Sequence, residues 1–257
     1  KHQVLLDQAC KAVQERGHWL PYPEIPSEKI YGEGSRAAGL AAYEATLNSS
    51  FTLKGPSIAV AQVGCEISPF TGALNISYPS FKADDLIAKA AELLPNWRDA
   101  GCEVRTGTCM EILHRLNQRS FEIGNATMHT TGQGFAMAFQ AGGPHAQDRG
   151  LEAIANAWLL TRNVPRGSVW NKPQGKRDPF IMSKKYTVAP KGVALVVACS
   201  TFPTWNTYPG LFASLVTGNP VIIKPHNQAV LPVAITVEVC QEVLAEAGFD
   251  PCLVQMA

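Results

Sequence analysis

The sequence predicts an α/β protein in which a helical N-terminal region and a hairpin lead into a truncated, parallel βαβαβ sheet. Three observations carry this reading. Residues 84 to 164 repeat apolar side chains at helical spacing, residues 165 to 190 switch to short extended runs around a polar centre, and everything after Pro190 alternates apolar strand with amphipathic helix. The 257 residues are 46% hydrophobic and 17% charged, which supplies a buried core and argues against a disordered tail or a coiled coil.

The first division, residues 1–57, is a helical arm. Val4 or Leu5, Ala9, and Ala12 or Val13 make a helical stripe, Pro21, Pro23 and Pro26 break any continuation, and residues 34–47 are Ala-rich and helical. The second division, 58–164, begins in an apolar run that reaches Gly64. The turn Ser68-Pro69-Phe70-Thr71-Gly72 then predicts a small hairpin ending at Tyr78-Pro79. From Asp84 the spacing Ile87, Ala91, Leu94, Trp97 predicts a helix with two acids in its first turn, where the helix dipole favours them. The next helix carries Met110, Leu113 and Leu116. After the break Gly142-Gly143-Pro144 another puts Leu151, Ile154 and Trp158 on one face.

The third division, 165–190, reads as two strands, Val169-Trp170 and Phe180–Val188, around a polar loop Asn171–Asp178. The last, 191–257, opens with the continuous apolar strand Gly192–Cys199. Thr204–Thr217 is a helix closed by Gly218, Pro220–Ile223 a strand, Pro232–Ala247 a helix followed by Gly248, and Cys252–Met256 a third strand. That alternation implies parallel pairing with right-handed crossovers. Three such strands alone would leave unpaired edges and half-covered apolar faces, so a truncated domain is expected.

Lys and Arg number 22 against 21 Asp and Glu, with no basic block, so neither nucleic acid nor an anionic membrane is an expected partner. The longest apolar run is far short of the roughly 20 residues that span a bilayer. The N-terminus has no signal-peptide pattern and no initiating Met, as a trimmed start would. Seven cysteines, an odd number without a Cys-x-x-Cys pair, argue against a disulfide framework or zinc ribbon and for a reducing, cytoplasmic compartment. The six histidines show no metal-ligand spacing, so no structural metal is expected.

Five segments of the last division stand in one order: Pro190-Lys191-Gly192-Val193, Ser200-Thr201-Phe202-Pro203, Leu215–Asn219, Val221–Pro225 and Ala245–Phe249. Together they resemble the motifs of the aldehyde dehydrogenase superfamily. Upstream, Ser68–Gly72 and Leu93–Trp97 resemble its early turn and its Trp-ended helix, so the resemblance runs from about Val60 to Ala257. Cys199–Gly210, Lys224-Pro225-His226 and Ala141–Asp148 are similar to the phenylacetic acid degradation branch of that superfamily.

The resemblance implies an aldehyde dehydrogenase-like fold with a Rossmann-like NAD(P)-binding sheet. It implies oxidation of an aldehyde to an acid, here a ring-opened CoA-linked semialdehyde of aerobic phenylacetate degradation, with NADP or NAD as cofactor. Val197, Ala198, Cys199, Ser200 and Thr201 would then lie under the nicotinamide ribose, and Lys224, His226 and Asn227 at the adenosine ribose. Cys199 reads as a small buried apolar filler beside the cofactor. Thr201 stands where the family has an Asn that donates to the oxyanion; Asn206 is the alternative amide, and a Thr at that place also suits a helix N-cap. Asn227 stands where NAD enzymes carry a ribose-gripping Glu. Losing that carboxylate removes repulsion of a 2′-phosphate, which Lys224 and His226 would attract, so NADP fits at least as well as NAD. No cysteine has the family's catalytic setting and the base motif is missing too, so thiol and base are expected beyond Ala257. The 165–190 hairpin implies a homodimer or higher homo-oligomer. A different reading of the same segments is a catalytically inactive nucleotide-binding or interaction module.

Overall fold

The computed structural model describes residues 1–257. Helix α1 (Gln3–Glu15) buries Leu6, Ala9 and Cys10 and ends at Arg16 in the left-handed conformation. A proline-broken strap leads through the single turn α2 (Glu28–Tyr31) into α3 (Ser35–Thr46). Two nested ribbons follow. Strand β1 (Ala61–Val63) pairs antiparallel with β4 (Tyr78–Ser80), enclosing the two-residue strands β2 (Ile67–Ser68) and β3 (Gly72–Ala73) around the predicted turn.

Helix α4 (Ala83–Asp99) buries Leu86, Ala90, Leu93 and Trp97, whereas Ile87 of the predicted row is 52% exposed. The two rows are equally apolar, and packing decides between them: Leu86 and Ala90 meet Ile222 of the parallel sheet. Helix α5 (Cys102–Gln118) buries Met110, Leu113 and Leu116 as predicted. The region before Gly142 then resolves into two further helices, α6 (Ser120–Thr131) and α7 (Phe135–Gly142). Nearly every residue of α6 is buried, so it has no polar face to produce a periodic signal. In α8 (Pro144–Thr161) Leu151 and Ile154 are buried, while Trp158 only packs against the rim of the core.

Strands β5 (Gly167–Gln174) and β6 (Arg177–Lys185) form one antiparallel hairpin that turns at Gly175, with φ +67°. The predicted polar loop Asn171–Asp178 is therefore mostly strand. Every residue of the ribbon is exposed, so polarity there does not mark a loop.

After the hairpin come β7 (Ala194–Val197), α9 (Pro203–Val216), β8 (Val221–Lys224), α10 (Leu231–Glu246) and β9 (Val254–Met256). The three strands are parallel in the order β7-β8-β9. The last strand is shorter than predicted because Pro251–Leu253 forms a 3-10 turn, capped where Asp250 accepts the Cys252 N–H at 2.8 Å. Val221, Ile222 and Ile223 of the central strand are buried on both faces. On β7, Leu195 is 66% and Val197 58% exposed. The main core cluster of 47 residues runs from Leu6 to Met256, and Leu86, Ala90 and Ile222 form a small second one. No helix is long and apolar enough to cross a membrane.

Candidate functional site

The C-terminal ends of β7 and β8 lie side by side: Val197 is registered with Lys224, and the Ala198 N–H donates to the Lys224 carbonyl at 3.0 Å. In open parallel sheets this is the edge where ligands bind. Two loops crown it, one leading into α9 and one into α10.

The loop into α9 is pinned along its backbone. The Cys199 N–H donates to Asn206 Oδ1 at 3.0 Å, the Phe202 N–H to Cys199 Sγ at 3.4 Å, and the Thr201 carbonyl accepts from Gln133 Nε2 at 2.6 Å. The N–H groups of Ser200 and Thr201 have no acceptor within the protein. Cys199 is half-buried rather than the buried filler predicted, because its sulfur turns back to receive the Phe202 N–H. Thr201 is not a helix cap either. The N-cap position of α9 is Phe202, one residue later, and no side chain caps it. Thr201 and Asn206 are both exposed, and Asn206 spends its oxygen on the Cys199 N–H, leaving its NH2 outward for other partners.

In the loop into α10, Lys224 is exposed and no carboxylate lies within ion-pair distance of it. Pro225 is buried, and His226 Nδ1 accepts the Gln228 N–H at 3.2 Å, closing a turn that leaves Asn227 exposed. The carbonyl of Asn227 receives the Cys65 thiol at 3.5 Å. Behind it, the buried Glu66 accepts from the N–H groups of Val230 at 2.6 Å and Leu231 at 2.9 Å, and from the Tyr78 hydroxyl at 2.5 Å. Burial pushes the Glu66 carboxyl up, and these three donors hold it back.

The structure thus brings the predicted residues Val197 to Thr201, Asn206, Lys224, His226 and Asn227 to one edge. It adds Gln133, Cys65 and Glu66, which sequence reasoning missed; each is a single polar residue reaching in from a segment far away along the chain, and no local pattern distinguishes it. The other thiols are remote in character: Cys109 and Cys240 are fully buried, and burial pushes both well above the ordinary thiol range. No group of three His, Cys, Asp or Glu side chains is arranged to hold a metal ion.

A parallel sheet whose C-terminal edge carries a free cation, exposed amides and unpaired backbone N–H groups has the architecture of the nucleotide-binding α/β enzymes. The aldehyde dehydrogenase family profile matches residues 65–256, and the chain belongs to that family. The crystal structure of the NAD-dependent aldehyde dehydrogenase from Burkholderia multivorans is similar with a TM-score of 0.96 and 52% identity, over 99% of this chain and 46% of that one. A variant of 1-pyrroline-5-carboxylate dehydrogenase from Thermus thermophilus shares the fold at a TM-score of 0.70 and 19% identity, covering 93% of this chain and 45% of its own. So does the NADP-dependent glyceraldehyde-3-phosphate dehydrogenase from Bacillus halodurans complexed with NADP, at 0.60 and 21%, covering 77% and 40%. The chain spans about half the length, or less, of these structures. No match was found among curated proteins.

Proposed function

We propose that this chain is the N-terminal portion of an NAD(P)-dependent aldehyde dehydrogenase and supplies part of its cofactor cradle. The observation that carries the reading is Lys224, a free cation at the C-terminal end of the central strand, registered with Val197, from which the loop bearing Thr201 departs. The donor set fits a nicotinamide dinucleotide: an ammonium with His226 and Asn227 beside it for the adenosine ribose and a 2′-phosphate, and the floor Val197 to Thr201 for the nicotinamide ribose. When bound, such a cofactor accepts the hydride of the oxidised aldehyde. Thr201 Oγ1 or the Asn206 NH2, with the free N–H groups of Ser200 and Thr201, would stabilise the oxyanion formed when a thiolate adds to the carbonyl. The exposed apolar pair Leu195 and Val197 on one face of β7 supports a further layer packed over that face by the rest of the enzyme, which would also bring the thiol and the base.

The substrate we propose is a ring-opened CoA-linked semialdehyde, on the likeness of Cys199–Gly210 to the phenylacetic acid degradation protein PaaN. The setting proposed is the cytoplasm, consistent with seven free cysteines. In the full-length protein Lys224→Met should weaken NADP binding roughly 10- to 100-fold by loss of charge-assisted contacts, and NAD binding less, read by isothermal titration calorimetry. Unchanged affinity for both would remove the cradle assignment.

We further propose that the hairpin β5–β6 pairs subunits, since it exposes Val169, Trp170, Phe180, Ile181 and Met182 together. Trp170→Asp should then shift sedimentation from dimer or higher oligomer to monomer while leaving the melting transition of the fold in place. A variant that sediments as the parent does would assign the interface elsewhere.

A further inference from the structure

We propose that Gln133 is a positioning residue that sets the orientation of the Thr201–Phe202 peptide, and through it the two donors of the oxyanion loop. The inference rests on the reading of Thr201 as facing the reacting aldehyde. That peptide is held at both ends: its carbonyl accepts from Gln133 Nε2 at 2.6 Å, and its N–H donates to Cys199 Sγ at 3.4 Å. The preceding peptide of Cys199 is held by Asn206 Oδ1 at 3.0 Å. Between these fixed planes only the Ser200 and Thr201 peptides remain unpinned, and theirs are the N–H groups without a protein acceptor. Two free donors in a row, fixed in direction by pinned neighbours, form the kind of preorganised pair that stabilises a developing negative charge.

Among the three ties, those from Asn206 and Cys199 are local, within seven residues. Gln133 alone reaches the loop from a distant segment, the link Gly132-Gln133-Gly134 between α6 and α7. That link is itself shaped for the task. Gly132 adopts φ +77°, and the Gln133 N–H is directed at Thr131 Oγ1 at 3.4 Å. Gln133 Oε1 is buried with no donor, so the amide gains its contact through Nε2 alone. A second tie from the same body, Thr204 Oγ1 to the Gly142 carbonyl at 2.8 Å, fixes the first turn of α9, so the loop is clasped against α7 on both sides.

The test uses the natural full-length protein and three variants: Gln133→Met, which keeps the length and loses the donor; Gln133→Lys, which restores a donor at similar reach; and Thr201→Val. Gln133→Met should lower kcat about tenfold with KM for the nicotinamide cofactor within about twofold, since small misplacements at a reacting centre are costly. Gln133→Lys should recover most of that loss, and exchange of the Phe202 amide, the protected N–H of the loop, should rise in the Met variant only. Full kcat in Gln133→Met overturns the proposal. So does a loss shared equally by the Met and Lys variants, which marks a structural role. If the parent enzyme oxidises no aldehyde, or Thr201→Val leaves kcat untouched, the reading of the site fails instead. The tie is then judged by exchange alone, and unchanged exchange in Gln133→Met overturns it.

Discussion

Replacing Asp148 by Asn should stabilise the protein by roughly 2 to 4 kcal/mol above pH 7 and should flatten the loss of stability that the parent shows between about pH 4 and pH 7. Asp148, in the second turn of α8, is 4% exposed, and neither carboxylate oxygen has a hydrogen-bond partner. Burial is the main force that raises its pKa from 3.8 to about 7; Glu24 adds to the rise, while Arg149 and the nearby Tyr22 N–H offset part of it. A carboxyl whose folded pKa lies above its unfolded one keeps a proton in the native state that the unfolded chain releases. The native state is therefore fully favoured below about pH 4, loses ground as the pH rises to about 7, and stays at the lower level beyond. Three units at about 1.4 kcal/mol each set the upper end of the range. Asn is neutral throughout and matches the shape, so it removes the buried charge without opening a cavity. Urea unfolding at pH 5 and pH 8 decides: the advantage of the variant must grow with pH, and parallel curves for the two proteins would show that Asp148 is hydrated or paired after all.

The same residues explain which parts of the fold were legible. The strands and helices after Pro190 could be read because β8 is buried on both faces and its apolar run is unbroken, and because Gly218 and Gly248, both at positive φ, mark the helix ends. The buried face of α4 could not be read, since Leu86 and Leu93 compete with Ile87 and Leu94 on equal terms and only the position of Ile222 separates them. The hairpin was shortened in the reading because a ribbon with no buried face carries no alternation to count. At the candidate site, Thr201, Lys224 and Asn227 belong to contiguous motifs, so their positions could be named. Gln133 and Glu66 act across 68 and about 165 residues of chain, and their contacts exist only once the helices have packed. Cys199 failed in a third way. Its place at the strand end was right, but a sulfur that folds back onto the Phe202 N–H cannot be inferred from apolar neighbours.

Glu66→Ala should cost about 3 kcal/mol or more, and Glu66→Gln closer to about 1 kcal/mol, because the carboxylate stands in for a helix cap that α10 does not provide itself. No side chain at the start of α10 accepts its first N–H groups, and Glu66 takes the Val230 and Leu231 N–H groups from across the fold while its other oxygen receives Tyr78. Alanine leaves two backbone donors and a phenol unpaired in a closed interior, where each orphaned group costs about 1–3 kcal/mol. Glutamine keeps one oxygen for the helix and turns its NH2 toward the Tyr78 oxygen, so most of the network survives; the charge at the positive end of the helix dipole is the part it loses. Equal losses for the two variants would mean that charge, not capping, is what Glu66 contributes. The cap also closes the loop that begins at Lys224, so on the proposed cradle stability and cofactor binding are linked through it. A ligand that binds only the native state adds RT ln(1 + [L]/Kd), about 2.7 kcal/mol at a hundredfold excess over Kd. Saturating NADP should therefore recover much of the alanine variant's deficit if the loop still forms. If the cap is what shapes the loop, the recovery falls short by the factor through which Kd itself has weakened.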